Sequence, residues 1–232
     1  MREKFKAFEE KIGVTFHNKA VLREAFTHRS YINEIREKGF VHNERLEFLG
    51  DAVVELSVTD FLYKKYPHAT EGDLTSYRAA LVNAVTLGAL GIDIEMEEYL
   101  LLSKGEAKDK GTKAREIILA NAFEALVGAI YLDQGYTGAD AFLKKYLLGK
   151  TDEIVKKGLW RDSKSFFQEE AQDAVGITPA YKVMREVGPD HDKQFVVGVY
   201  LDKELVAEGS GKSKQEAEQN AATEGLKAKG WN

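Results

Sequence analysis

The chain has 232 residues, 44% hydrophobic and 31% charged, the balance of a globular protein of one large or two small domains. It has no cysteine, which excludes a disulfide framework, a thiolate metal site and a cysteine nucleophile. A net charge of −5 leaves any nucleic-acid function to local patches.

No apolar run reaches the ~18 residues of a membrane span. The N-terminus, Met1-Arg2-Glu3-Lys4-Phe5, mixes charges and lacks an apolar signal core. The chain is therefore expected in the cytoplasm, with no membrane partner.

Residues up to 147 read as helical. Apolar residues recur at helical spacing over 4–12, 19–27, 44–63, 73–90, 115–132 and 138–148. Gly13, Pro67-His68, Gly105 and Gly135 punctuate them. Residues 104–112 are polar and glycine-flanked and read as an exposed loop. Residues 148–161, with little periodicity, read as a linker. From 162 the pattern changes. A helix over 162–175, with Asp162 near its cap, precedes strands over 180–186, 194–201 and 204–208. Asp202-Lys203 reads as a hairpin turn between the last two. A helix over 213–227 closes the chain, and Ser213-Lys214-Gln215-Glu216 fits a capping box. The expected architecture is an all-α domain over 1–147, a linker over 148–161 and a small α-β-β-β-α domain over 162–232.

The stretch His42-Asn43-Glu44-Arg45-Leu46-Glu47-Phe48-Leu49-Gly50-Asp51 places Glu44, Glu47 and Asp51 at spacings of three and four. On a helix these share one face. Asn121 and Glu124, three apart in a second apolar helix, form a smaller polar pair. Hard oxygen ligands with no neighbouring thiolate suit Mg²⁺ or Mn²⁺ more than Zn²⁺. A solvated acidic face, with Asn43 capping its helix and Glu44 at the positive dipole end, fits the same spacing. Spacing alone leaves both open.

The segment His42 to Asp51 closely resembles the signature of bacterial ribonuclease III. Ala25-Phe26-Thr27-His28-Arg29-Ser30-Tyr31, Glu71-Gly72-Asp73-Leu74-Thr75 with Arg78-Ala79-Ala80-Leu81-Val82, and Ile118 through Asp133 resemble further segments of that family, in the family's order. The resemblance implies that Glu47, Asp51 and Glu124 ligate catalytic Mg²⁺, with Mn²⁺ able to substitute. It implies that Glu44 and Glu71 are accessory acids of a cleavage valley, and that Phe48 packs into the partner subunit of a homodimer. His28 and Ser30 fall in a structural or substrate-contacting segment. Asn121 departs from the family, where aspartate is common. It keeps a carbonyl oxygen but loses charge and a ligand atom. It fits either a natural variant ligand or a change that slows cleavage.

The C-terminal module holds nine Lys or Arg against thirteen Asp or Glu from 162 to 232. Only a local cluster there can meet a polyanion. Lys212, Ser213 and Lys214 sit at the start of the last helix, where backbone donors and lysines together suit an anion. A capped helix with solvated lysines fits equally. Phe167-Gln168-Glu169, Gly188-Pro189-Asp190-His191 and the run from Gly209 to Ala222 resemble the three regions of a double-stranded RNA-binding domain. The resemblance implies that Gln168 reaches 2′-hydroxyls, that the His191 loop enters a minor groove, and that Lys212 and Lys214 hold phosphates. Gln215 stands where a second basic residue is common, which implies weaker, less salt-dependent binding.

Two functions from different classes follow. One is a homodimeric, metal-assisted endoribonuclease of double-stranded RNA, leaving 5′-phosphate and 3′-hydroxyl ends in RNA processing and maturation. The other is a non-cleaving or attenuated binder of duplex RNA, its metal site weakened at Asn121.

Overall fold

The computed structural model describes residues 2–35, 39–156, 162–189 and 193–231. They fall into two compact units, Met1–Trp160 and Arg161–Asn232. Among the described residues no helix is long and apolar enough to cross a membrane.

The first unit is helical: α1 (Arg2–Ile12), α2 (Lys19–Ala25), α3 (Arg29–Glu34), α4 (Glu44–Lys65), α5 (Glu71–Val82), α6 (Ala84–Asp93), α7 (Lys113–Tyr146) and α8 (Thr151–Lys156). Helix α7 is central. It packs against α2, α4 and α6, and its Leu119, Phe123, Leu126 and Ile130 are fully buried. Each such side chain contributes about 1.5–3 kcal/mol by leaving water.

At the α4–α7 crossing the two helices meet backbone to backbone. A Cβ on Gly50 would lie 1.8 Å from the Glu124 carbonyl oxygen. One on Gly128 would lie 2.3 Å from the Leu46 carbonyl oxygen. Two backbones touch here because neither helix carries a side chain at the contact. Mid-helix glycine costs about 1 kcal/mol against alanine, and this contact is what that cost serves.

Several expected elements are corrected. Residues 73–90 are not one helix. Asn83 (φ −76°, ψ 160°) leaves the helical region, and its Oδ1 accepts from the Thr86 amide at 2.9 Å. Its side chain supplies the bond that a continuing helix would otherwise make. Helix α5 also begins earlier, through a capping box between Thr70 and Asp73. The segments 115–132 and 138–148 belong to one helix, α7, broken at Gly135 (φ 73°, ψ −176°), so the glycine does punctuate it. Helix α3 was not expected. Asn43 starts α4 but does not cap it by its side chain; its Nδ2 donates to the Ala25 carbonyl at 3.1 Å. Residues 148–156 are not irregular linker. They form a 3-10 turn (Leu148–Lys150) and α8, with Leu148 and Thr151 buried in the first unit. Residues 157–161 lie outside the described residues.

The second unit is α9 (Ser163–Val175), β1 (Ala180–Val187), β2 (Gln194–Leu201), β3 (Glu204–Gly211) and α10 (Lys214–Lys229). The sheet is antiparallel in the order β1-β2-β3. Both helices cover the face that carries Val197, Val199 and Leu201, with Phe167, Ala221 and Leu226 opposite them. Asp162 caps α9, its Oδ1 accepting from the Lys164 amide at 3.1 Å. Asp202 adopts the left-handed region (φ 53°) in the hairpin turn. Strand β3 runs three residues past its expected end. There a Cβ on Gly209 would lie 2.0 Å from the Ala221 amide nitrogen, so β3 can touch α10 directly.

Gly50→Ala should lower the thermal midpoint, since overpacking a tight contact costs about 1–3 kcal/mol. Gly72→Ala, exposed in α5 with its nearest atom 3.8 Å away, should leave stability unchanged or raise it by a few tenths of a kcal/mol. Equal midpoints for the two variants would refute the backbone contact at Gly50.

Candidate active site

The glycine crossing assembles an acidic face. In α4, Glu47 and Asp51 flank Gly50; in α7, Glu124 lies one helical turn before Gly128, and Asn121 one turn before Glu124. Because Gly50 rests on the Glu124 backbone, the carboxylates of the two helices face one another. Glu44 extends the row by one turn toward the start of α4. Its Oε1 lies 3.5 Å from Arg29 Nη1, and its Oε2 lies 3.6 Å from His42 Nδ1.

The electrostatics follow from that arrangement. Burial, then the charges of Asp51 and Glu47, raise the Glu124 carboxyl pKa to about 7. Burial, then Glu44 and Asp51, raise that of Glu47, and Arg29 partly offsets this. Glu47 and Glu124 are thus each made less acidic by burial and by neighbouring carboxylates. A bound cation would relieve that repulsion. Three carboxylates and an amide carbonyl form an all-oxygen donor set of the kind hard divalent ions take. Among the described residues, no three acidic or imidazole side chains lie close enough together, as placed, to hold a metal ion between them. The face is open, which suits an ion that retains water and takes oxygen from a substrate.

Other expected residues fall elsewhere. Glu71 stands exposed at the start of α5, accepting from Thr75 Oγ1 at 3.0 Å. Arg78 of α5 meets Glu55 and Thr59 of α4. The two helices run as a hairpin, so Glu71 lies near the C-terminal end of α4, roughly 20 Å along it from Glu47. Phe48 is 82% exposed and is no core residue; exposed Ala52 and Leu56 continue an apolar stripe from it along α4. Residue-by-residue reading missed Arg29, which meets Glu44 at the end of the acidic row, and the two glycines at the crossing. Isolated mid-helix glycines in otherwise apolar helices were the available signal for the latter.

In the second unit, Gln168 is exposed on α9 beside buried Phe167. Lys212, Ser213, Lys214 and Gln215 are all exposed at the start of α10. Ser213 Oγ accepts from the Glu216 amide at 3.1 Å. The Glu216 carboxylate accepts from the Lys212 amide at 2.8 Å, one residue earlier than a capping box would have it. Two backbone donors at this end are therefore engaged, and the lysine side chains carry more of any anion contact than expected. Lys214 Nζ also lies 3.8 Å from Glu186 Oε1 and over the Phe195 ring. His191 lies outside the described residues.

The raised Glu124 pKa has a consequence for stability. The unfolded chain ionises this carboxyl near its ordinary value of 4.5, while the folded chain resists until about 7. Stability from this group is therefore complete below about 4.5 and is lost as pH rises to 7. In metal-free buffer at pH 8, Glu124→Gln should stabilise the protein by about 1–3 kcal/mol, allowing for solvent screening. At pH ~4 the gain should vanish. Thermal unfolding at both pH values checks this, and a variant less stable at pH 8 would contradict it.

Residues 18–151 match the family model described as ribonuclease-III-like, and residues 163–228 match the double-stranded RNA binding motif. Ribonuclease 3 of Bacillus licheniformis is 48% identical over 225 residues, covering 97% of this chain and 89% of that protein. Ribonuclease 3 of Bacillus velezensis is 46% identical over 224 residues, covering 97% and 89%. Among solved structures, the nuclease domain of ribonuclease III from Campylobacter jejuni is 34% identical at a TM-score of 0.56, covering 62% of this chain and 94% of that domain. The expected order of helical unit and α-β-β-β-α unit is present, and the likeness spans almost the whole chain. This protein belongs to the ribonuclease III family and is an endoribonuclease that carries a double-stranded RNA-binding motif.

Proposed function

We propose that the protein is a homodimeric, divalent-metal-dependent endoribonuclease that hydrolyses both strands of an RNA duplex, in RNA processing and maturation in the cytoplasm. The observation that carries this reading is the approach of Glu47 and Asp51 to Glu124 across the helix crossing, where burial and their charges raise the Glu124 pKa to about 7. Those three would hold Mg²⁺, or Mn²⁺ in its place, with Asn121 adding a carbonyl oxygen. A cation bound there supplies the charge that activates water and stabilises the departing oxygen of a phosphodiester. Attack by water at phosphorus leaves 5′-phosphate and 3′-hydroxyl ends.

The chain's own residues set the rest. Glu44, held by Arg29, keeps negative charge at the rim of the face. We assign Glu71 a subsidiary role, at a different point along the duplex. Gln168 and the segment with His191 read the wide minor groove, and Lys212 and Lys214 hold phosphates, so recognition rests on A-form shape. One acidic face serves one strand, and a twofold pair serves two. The exposed Phe48 stripe is the surface we assign to that pairing. A further structure of the Campylobacter jejuni nuclease domain is described by the flexibility of its region involved in dimer formation.

The reading is tested with a long RNA duplex at graded Mg²⁺ and Mn²⁺. Cleavage should require the ion, stop on chelation, and fall by at least about 100-fold in Glu124→Gln while duplex binding persists. Asn121→Asp restores a charge, and half-maximal cleavage should then need less Mg²⁺. A parent chain that binds duplex RNA without cutting it at any ion concentration would favour the non-cleaving binder.

Light scattering should give a mass near twice 26.0 kDa at micromolar concentration. Phe48→Glu should shift that mass toward the monomer, because a charge buried at an interface lacks a partner. An unshifted mass in Phe48→Glu would remove Phe48 from the interface.

A further inference from the structure

The segment 103–113 is held far more firmly than a connection between helices requires. The Ser103 amide donates to Ser30 Oγ at 3.1 Å, and the Lys104 amide to Glu34 Oε2 at 2.6 Å. The Glu106 amide donates to Ser103 Oγ at 3.2 Å. The buried Arg115 guanidinium donates to the Glu106 carbonyl and pairs with Glu97 at 3.3 Å. Exposed polar loops ordinarily remain mobile, and here Ser30 and Glu34 of α3, Arg115 of α7 and Ser103 of the segment itself remove that freedom.

What the segment carries is charge. Lys104, Lys108, Lys110 and Lys113 are exposed, against Glu106 and Asp109. None of the four lysines forms an ion pair among the described residues, although the chain is acidic overall. The anchor is also close to the acidic face. Ser30 follows Arg29 in α3, and Arg29 reaches Glu44.

Hydrogen-bond direction shows how Ser30 is held. His28 Nδ1 accepts from the Ser30 amide at 3.3 Å, so that nitrogen carries a lone pair. The Ser30 hydroxyl, 2.8 Å away, then donates to the same nitrogen, which leaves its oxygen lone pairs turned to the Ser103 amide. Burial lowers the His28 pKa, a shift in the direction of this neutral form. The His28 amide bonds the Leu101 carbonyl at 3.1 Å, which fixes the same junction from the backbone side.

We propose that Ser30, aimed by His28, is a positioning residue for duplex cleavage: it latches the lysine-bearing segment 104–113 beside the acidic face so that the nuclease unit itself grips substrate phosphates. This rests on the duplex-RNA substrate proposed above. An acidic face repels a polyanion, and fixed lysines alongside it offset that repulsion without entering the chemistry. A free loop would lose that benefit to the entropy of ordering its lysines at each binding event.

The test compares Ser30→Ala, Ser30→Thr and the triple variant K104A/K108A/K110A, the last with and without Ser30→Ala. Ser30→Ala should raise KM for duplex RNA about threefold to tenfold, the range expected for one ordinary hydrogen bond, and should lower kcat by less. The slope of log KM against log salt should flatten, as fewer phosphates are neutralised. Ser30→Thr, which keeps the hydroxyl, should restore both. In the triple variant, Ser30→Ala should add little, because both act through one contact. Should Ser30→Ala fail to fold, Glu34→Gln weakens the second anchor and carries the same comparison. A fall in kcat with KM unchanged, or an equal effect of Ser30→Ala with and without the lysines, overturns the latch. Failure of the parent to cut duplex RNA overturns the proposed substrate instead.

Discussion

Everything in the nuclease unit depends on two helices touching backbone to backbone. At Gly50 and Gly128 there is room for no side chain, and that closeness brings α4 against the Glu124 carbonyl. A methyl group at either point would part the helices, and the carboxylates of Glu47, Asp51 and Glu124 would part with them. Packed interiors do not yield smoothly to added volume. The site therefore tolerates little variation in the crossing, however suitable the acids themselves are.

The crossing stores a conflict. Its apolar surroundings stabilise the unit through Leu119, Phe123, Leu126 and their neighbours, while burial and neighbouring carboxylates make Glu47 and Glu124 resist ionisation. The surrounding core holds them against that repulsion. Like charges concentrated in a partly dry place are poor for stability and good for capturing a cation, the usual exchange at functional sites. Asn121, being uncharged, adds nothing to the repulsion.

The second unit solves a different problem with the same device. Gly209 and Gly211 let β3 lie against the first turns of α10. That contact fixes where α10 begins, and so where Lys212 and Lys214 project. Ser213 and Glu216 then tie the turn internally. In both units a glycine contact positions charged side chains that local helix geometry alone would leave unplaced.

Short-range features were legible in the sequence because they depend only on neighbours. The acidic rows repeat at three and four residues, the strands alternate, Gly135 interrupts its helix, and Asp162 caps the next. The resemblance carried by His42 to Asp51 extended that reading to the family. Asn83, Asn43 and residues 148–156 were misread, since their roles turn on whether a side chain finds its partner nearby or across the fold. Asn83 turns back to Thr86, Asn43 reaches across to Ala25, and Leu148 finds a core that no local pattern announces.

By itself the sequence determined the helical unit, the α-β-β-β-α unit and the identity of the candidate acids, because residue type and spacing set local geometry. Only the tertiary structure decided which acids meet. It joined Glu47 and Asp51 to Glu124 across 70 or so residues of chain, left Glu71 apart, exposed Phe48 and pinned the lysine segment to Ser30. Those outcomes are long-range contacts. They arise from how closely two backbones can approach and which side chains then face one another, and no spacing within a single helix encodes either.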